Sequence, residues 1–174
     1  MSSTKRTTLE VGQKIQVTIE KVAHGGHFIA RYEGAVIFVR HGIPGEACTI
    51  EITSTGSSFN RADVIEVASP SEDRVSAPCR FAHRNGCGGC DFQHISLPRQ
   101  RSLKSDVITE QFSRIAKLDV EVEVEEVAGP LGWRTRCSAV TTKAGALGFY
   151  QARSHKIIPV DDCRILVPEM RYSE

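Results

Sequence analysis

The stretch "KIQVTIEKVAHGGHFIARYEGAVIFVRHG", residues 14–42, decides the fold. Its first nine residues alternate Ile15, Val17 and Ile19 with polar neighbours, the two-residue period of a strand with one buried face. From His27 to Gly42 the alternation runs on both sides of Glu33-Gly34, a pair suited to a tight hairpin turn. Outward from there, "ACTIEITS" (47–54) alternates again, and "RADVIEV" (61–67) follows the Ser/Gly-rich "STGSSFN". Five short strands in about sixty residues predict a small OB-like barrel at 9–70, preceded by a polar tail at 1–8.

"ASPSEDRVSAPC" (68–79) has the Pro/Ser composition of a linker, so a second unit is expected over 71–174. In "SLPRQRSLKSDVITEQFSRIAKL" (96–118) Ser96 can cap a helix, Pro98 fits its first turn, and Ile108, Phe112 and Ile115 share a face. "LDVEVEVEE" (118–126) sets Val120, Val122 and Val124 against four acids, predicting a strand with one buried face and one that repels nucleic acid. "RTRCSAVTT" (134–142) and "HKIIPV" (155–160) predict two more strands around a turn-prone 143–154. The fold class expected is mostly β, a five-stranded barrel followed by an α+β unit.

Lys and Arg number 22 against 21 Asp and Glu in 174 residues, and 40% of the chain is apolar. That balance describes an ordinary soluble protein, with neither a disordered composition nor a strongly basic binder's excess. No run approaches the roughly 20 apolar residues of a membrane span, and "MSSTKRTTLE" lacks the apolar core of a signal peptide, so a cytoplasmic address is expected. Six cysteines in a reducing compartment point to metal binding or chemistry rather than disulfides.

"GCGGCDFQH" (86–94) holds Cys87 and Cys90 at the spacing that lets both thiolates face one centre. Cys79 precedes them and Cys163 follows far along the chain, giving a possible four-thiolate set. That set suits zinc or an iron–sulfur cluster equally, and a redox dithiol or structural cysteines stay open. His83 and His94 are alternative ligands, Cys48 reads as a small core residue, and Cys137 is expected on a buried strand face. Arg31, Phe38 and Arg40 on the hairpin, with Arg134, Arg136, Phe149, Arg153 and His155 later, offer cations and ring faces to RNA. No G-x-G-x-x-G or G-x-x-x-x-G-K turn is present, so no nucleotide-cofactor domain is visible.

Together these segments resemble the S-adenosylmethionine-dependent RNA 5-methyluridine methyltransferases that carry a TRAM domain and a four-cysteine iron–sulfur cluster. Residues 9–68 look like the TRAM barrel; "CRFAHRNGCGGCDFQH" looks like the cluster segment; "GWRTRCSAV", "GALGFYQARSHKIIPVDDC" and "RILVPEM" look like the central domain. The resemblance implies that Cys79, Cys87, Cys90 and Cys163 ligate a [4Fe-4S] cluster, in place of zinc. It implies structured RNA (rRNA or tRNA) as partner, with a monomeric chain and no membrane or DNA role. The family's methyl transfer uses a cysteine that adds to C6 of a flipped uracil and a base that removes the C5 proton. Those residues and the S-adenosylmethionine contacts belong to a C-terminal domain, expected to be absent here, with the central domain incomplete; no catalytic residue is assigned. The alternative is a stand-alone RNA-binding module with a structural four-cysteine zinc or iron–sulfur site.

Overall fold

A computed structural model describes residues 7–127 and 129–171. Six strands form a curled half-barrel: β1 (Lys14–Thr18), β2 (Lys21–Ala23), β3 (His27–Tyr32), β4 (Ala35–Arg40), β5 (Ala47–Ser54) and β6 (Asn60–Ser69). The order across the sheet is β1-β5-β6-β4-β3-β2, antiparallel except for β4 beside β6. The sixth strand arises because residues 14–23 break in two. The amide of Ile19 donates to the Glu46 carbonyl (3.0 Å) and the next amide, that of Glu20, to Ile29 (2.8 Å), so one run leaves β5 and joins β3. The two edges of the sheet are therefore halves of a single segment, which is what curls it.

Turn chemistry fixes the central hairpin. Glu33 (φ 45°) and Gly34 (φ 80°) both lie in the left-handed region, as a type I′ turn requires, and this sets Phe28 opposite Val39 and Ala30 opposite Ile37. Those four residues are fully buried, with Ile50 and Ile52 of β5 and Ala62 of β6 beside them. Cys48 is buried among the same core, as its strand face predicts.

Helix α1 (Leu97–Gln111) starts where predicted: the Ser96 hydroxyl accepts from the Arg99 amide (3.4 Å) and Pro98 occupies the first turn. A π turn (Phe112–Ala116) ends it at Lys117, in the left-handed region. Its inward residues are Leu103 and Val107, which join Ile95 and Phe92 against the half-barrel core. Ile108, Phe112 and Ile115 share a face as expected, but that face is exposed. The 68–79 segment is pinned along its length, with Arg74 bridging Ile95, the Val75 amide donating to His94 (3.0 Å) and the Ser96 amide to Asp73 (2.8 Å).

Two strand expectations differ. Residues 118–126 keep the predicted alternation, valines half-buried and acids exposed, yet no strand pairs with them among the described residues, and an unpaired ladder is not a strand. Of 134–142, Arg134 makes an isolated parallel bridge to Leu166 and β7 (Val140–Thr141) pairs next to β8 (Leu147–Tyr150), with β9 (Ile157–Pro159) completing a small antiparallel sheet. Cys137 lies in the unpaired part and is exposed, not buried.

Candidate functional site

The 79–94 loop folds against the β8–β9 hairpin, and its glycines decide how closely. The Gly88 amide donates to the Tyr150 carbonyl (3.0 Å), and Cys87 forms a β-bridge with Gln151. A Cβ on Gly88 would lie 2.5 Å from the Ala152 amide nitrogen, and one on Gly86 2.3 Å from the Phe81 carbonyl oxygen. Neither glycine has a positive φ, so space, not dihedral freedom, excludes side chains here.

This packing brings Cys79, Cys87, Cys90 and Cys163 around one cavity of about 40 Å³, walled by Phe81, Phe149, Val160 and Ile165. Gln93 and Arg134 supply its polar edge. Burial pushes the Cys87 thiol up, helped by Cys163 and Cys79 and opposed by the Gly89 amide and Arg134. Cys90 is raised in the same way, by burial and by the other three cysteines, against a hydrogen bond with Gln93. Thiolates that disfavour one another across an apolar space are what a bound cationic centre would stabilise. Among the described residues no three His, Cys, Asp or Glu side chains stand close enough together to share one ion.

The two alternative ligands face elsewhere. His94 is buried with Nε2 3.1 Å from the Gly42 carbonyl, and His83 Nδ1 is 2.6 Å from the Arg84 carbonyl. Gln93 accepts from the Cys79 amide through Oε1 (3.1 Å), tying the two ends of the cysteine loop together.

The same loop docks on the outer face of the half-barrel. Arg40 donates to Asp91 Oδ1 through Nε (3.2 Å) and Nη2 (2.8 Å), and Arg84 pairs with Glu51 (2.8 Å). Asp91 approaches because Gly26 (φ 76°) has no side chain; a Cβ there would lie 2.7 Å from the carboxylate. Beneath the seam, Glu46 is wholly buried and accepts from the Ile43 amide (2.9 Å), the Ser71 amide (3.1 Å) and Arg74 Nε and Nη2 (2.6 Å each). Burial alone would raise its carboxyl, but the Arg74 and backbone donors outweigh this and hold it low. His41 beside them is lowered to about 3, first by burial and then by Arg40, His94, Arg74 and His83, so it is neutral at pH 7.

The eight residues expected to meet RNA are not one patch. Arg31 pairs with Glu20, Arg40 is held by Asp91, and Phe149 and Arg134 line the cysteine cavity, with Arg134 also stacked on Trp133. His155 sits edge-on to Tyr150, and Arg136 is exposed. Phe38 and Arg153 do come together, near His27, Phe59 and Arg61. Phe59 and Arg61 escape a reading of the sequence because they border a Ser/Gly-rich loop whose composition signals only a turn.

The TRAM domain model matches residues 8–65. A Streptomyces coelicolor protein named as an uncharacterized RNA methyltransferase is 43% identical over 170 residues, covering 89% of this chain and 37% of the relative. A Shewanella amazonensis 23S rRNA (uracil(1939)-C(5))-methyltransferase is 34% identical over 164 residues, 90% of this chain and 36% of the relative. Among solved structures, the Pyrococcus abyssi tRNA (uracil-54, C5)-methyltransferase, in complex with S-adenosyl-L-homocysteine, superposes with a TM-score of 0.60 at 21% identity. The match covers 89% of this chain and 34% of that one, and shows a shared fold. The chain spans about two-fifths of the length of the curated relatives it matches.

Proposed function

From a chain that carries a TRAM domain and is similar over about nine-tenths of its length to proteins named RNA methyltransferase, we propose the RNA-recognition and iron–sulfur portion of an S-adenosylmethionine-dependent RNA uracil-5-methyltransferase. The observation that carries the reading is the extent of that similarity, since it runs through both the half-barrel and the cysteine segment. The units are proposed as a TRAM barrel at 9–70 and an iron–sulfur central domain at 71–174. The partner is structured RNA, rRNA or tRNA.

Cys79, Cys87, Cys90 and Cys163 would hold the cluster. Here the four thiols line one cavity, and the similarity to proteins named RNA methyltransferase runs through that segment, which supports a centre held by all four. Such a cluster, when bound, would supply a cross-link between chain segments and a one-electron centre. The chain's own residues do the rest: Gly86 and Gly88 permit the close fold, Gln93 fixes the Cys79 backbone, and Arg40 with Asp91 sets the loop against the half-barrel.

Salt dependence tests the RNA half of the proposal. The 174-residue chain, loaded with iron and sulfide, is expected to bind a uridine-containing RNA hairpin with an affinity that falls as salt rises, log K against log salt sloping to about −2 or steeper as several phosphate contacts are lost. Affinity independent of salt, or equal affinity for an acidic polypeptide, contradicts it.

A further inference from the structure

One surface of the half-barrel is not explained by the core or by the cysteine seam. On the outer face, the register sets Phe38 of β4 opposite Arg61 of β6, and Phe59 precedes that strand. The Phe38 and Phe59 rings meet edge to face at 5.1 Å, and the Arg61 guanidinium lies 5.0 Å from the Phe59 centroid and 6.0 Å from that of Phe38. His27 of β3 stands edge-on to Phe38 at 6.3 Å. Arg153, from the loop after β8, reaches across so that its Nη2 is 3.4 Å from His27 Nε2.

Neither phenylalanine belongs to the hydrophobic core, and Phe59 is 40% exposed. Neither Arg61 nor Arg153 pairs with a carboxylate among the described residues, although nine other arginines do. Burial lowers Arg61 and the nearby Arg153 adds to it, so two cations sit close without an anion between them. His27 is also lowered, by burial and then by Arg153, and stays neutral at pH 7. Exposed ring surface beside unmatched cations is complementary to a ligand with flat faces and negative charge.

We propose that Phe38, Phe59, Arg61, His27 and Arg153 form a stacking site for unpaired nucleotides of single-stranded RNA, bridging the half-barrel and the β8–β9 unit. Phe59 takes a base face, and Arg61 and Arg153 take the flanking phosphates. A paired base in a duplex has both faces covered by its neighbours, so the site selects single-stranded segments. Because Arg153 comes from the second unit, a strand bound here touches both. The inference rests on the RNA reading above and deepens it.

The test uses the iron- and sulfide-loaded 174-residue chain with a labelled ten-nucleotide oligouridylate and a blunt RNA duplex of equal length, followed by fluorescence anisotropy across a series of salt concentrations. Phe59→Ala is expected to weaken single-strand binding about tenfold, the scale of one lost base stack, and to change duplex binding less than about twofold. Phe59→Trp restores it. Arg61→Met and Arg153→Met each weaken binding and make the salt slope shallower by about one. Photo-cross-linking with a 5-bromouridine oligomer is expected to label the peptides holding Phe38 or Phe59. If the wild type binds the hairpin but Phe59→Ala is neutral, or the label falls elsewhere, this site is wrong and the RNA reading stands. If the wild type binds no RNA, both fall.

Discussion

Replacement of Cys163 by serine is expected to unfasten residues 129–171 while the half-barrel stays folded. Cys163 is the one proposed ligand outside the 79–90 loop, and the chain around it organises the second unit. The Leu166 amide donates to the Cys163 carbonyl (3.0 Å), the Gly132 amide to Arg164 (3.1 Å), and those of Trp133 and Arg134 to Ile165 (3.0 and 2.8 Å). Little else secures that region. Its core contribution is Val160, Ile165 and Leu166, and its sheet has only three short strands. A metal centre absent from the unfolded state adds its binding free energy to folding, roughly 10–16 kcal/mol for four ligands on structural zinc, so one ligand in four contributes on the order of 3 kcal/mol. Hydrogen exchange on cluster-loaded protein reads the result: amides of 132–134 and 147–167 should exchange at least tenfold faster in Cys163→Ser, with β1 to β6 unchanged. Equal protection throughout would show that Cys163 ties nothing.

Removing Arg74 has a comparable cost by a different route. Glu46 has no exposed surface, and among the described residues Arg74 is its only cationic partner. In Arg74→Met the carboxylate keeps the Ile43 and Ser71 amides but loses both guanidinium bonds, and the His41 carbonyl loses its Arg74 donor (2.9 Å in the native chain). Breaking a buried pair from one side costs about 3–5 kcal/mol, because the remaining charge stays desolvated. Urea unfolding at pH 7 should show that loss, and the double variant Glu46→Gln/Arg74→Met should recover much of it. The pH dependence has a definite sign. With Arg74 present, the Glu46 carboxyl is held low, so its contribution is full above the ordinary carboxylate pKa and fades as pH falls through the depressed value. Without Arg74 the buried carboxyl titrates higher, so the deficit of Arg74→Met narrows as pH is lowered and Glu46 takes up a proton. A deficit under about 1 kcal/mol at pH 7 would mean that water replaces the guanidinium without penalty.

The features legible in the sequence are those written in neighbouring residues. Alternation gave β3 to β6, Glu33-Gly34 gave the turn, and Ser96 with Pro98 gave the start of α1. What stayed hidden depends on partners far along the chain. Residues 14–22 read as one strand, but the switch from β5 to β3 at Ile19 depends on where Glu46 and Ile29 lie. The valines of 118–126 alternate correctly yet meet no second strand among the described residues, since period fixes faces and not pairing. The Ile108, Phe112 and Ile115 face is apolar by spacing, while Leu103 and Val107 are the residues that meet the core.

At the cysteine site the residue types were visible and their convergence was not. Nothing local in "VDDCRIL" announces that Cys163 lies beside Cys87; the cysteine count marks it only as a possible fourth thiolate, and the resemblance to a family implies the full set. Glu46 and Arg74, 28 residues apart, carry no sequence signal of partnership. Nor does the group around Phe38, where Phe59 and Arg61 are within two strands of it but Arg153 comes from the other unit.

The most direct measurement is the metal content of the wild-type chain purified without oxygen and incubated with iron and sulfide, beside a parallel sample offered zinc. The account predicts brown protein with about four irons and four acid-labile sulfides per chain, stoichiometries that fall together when any one of Cys79, Cys87, Cys90 or Cys163 is replaced. A colourless chain that retains one zinc and no iron would contradict it.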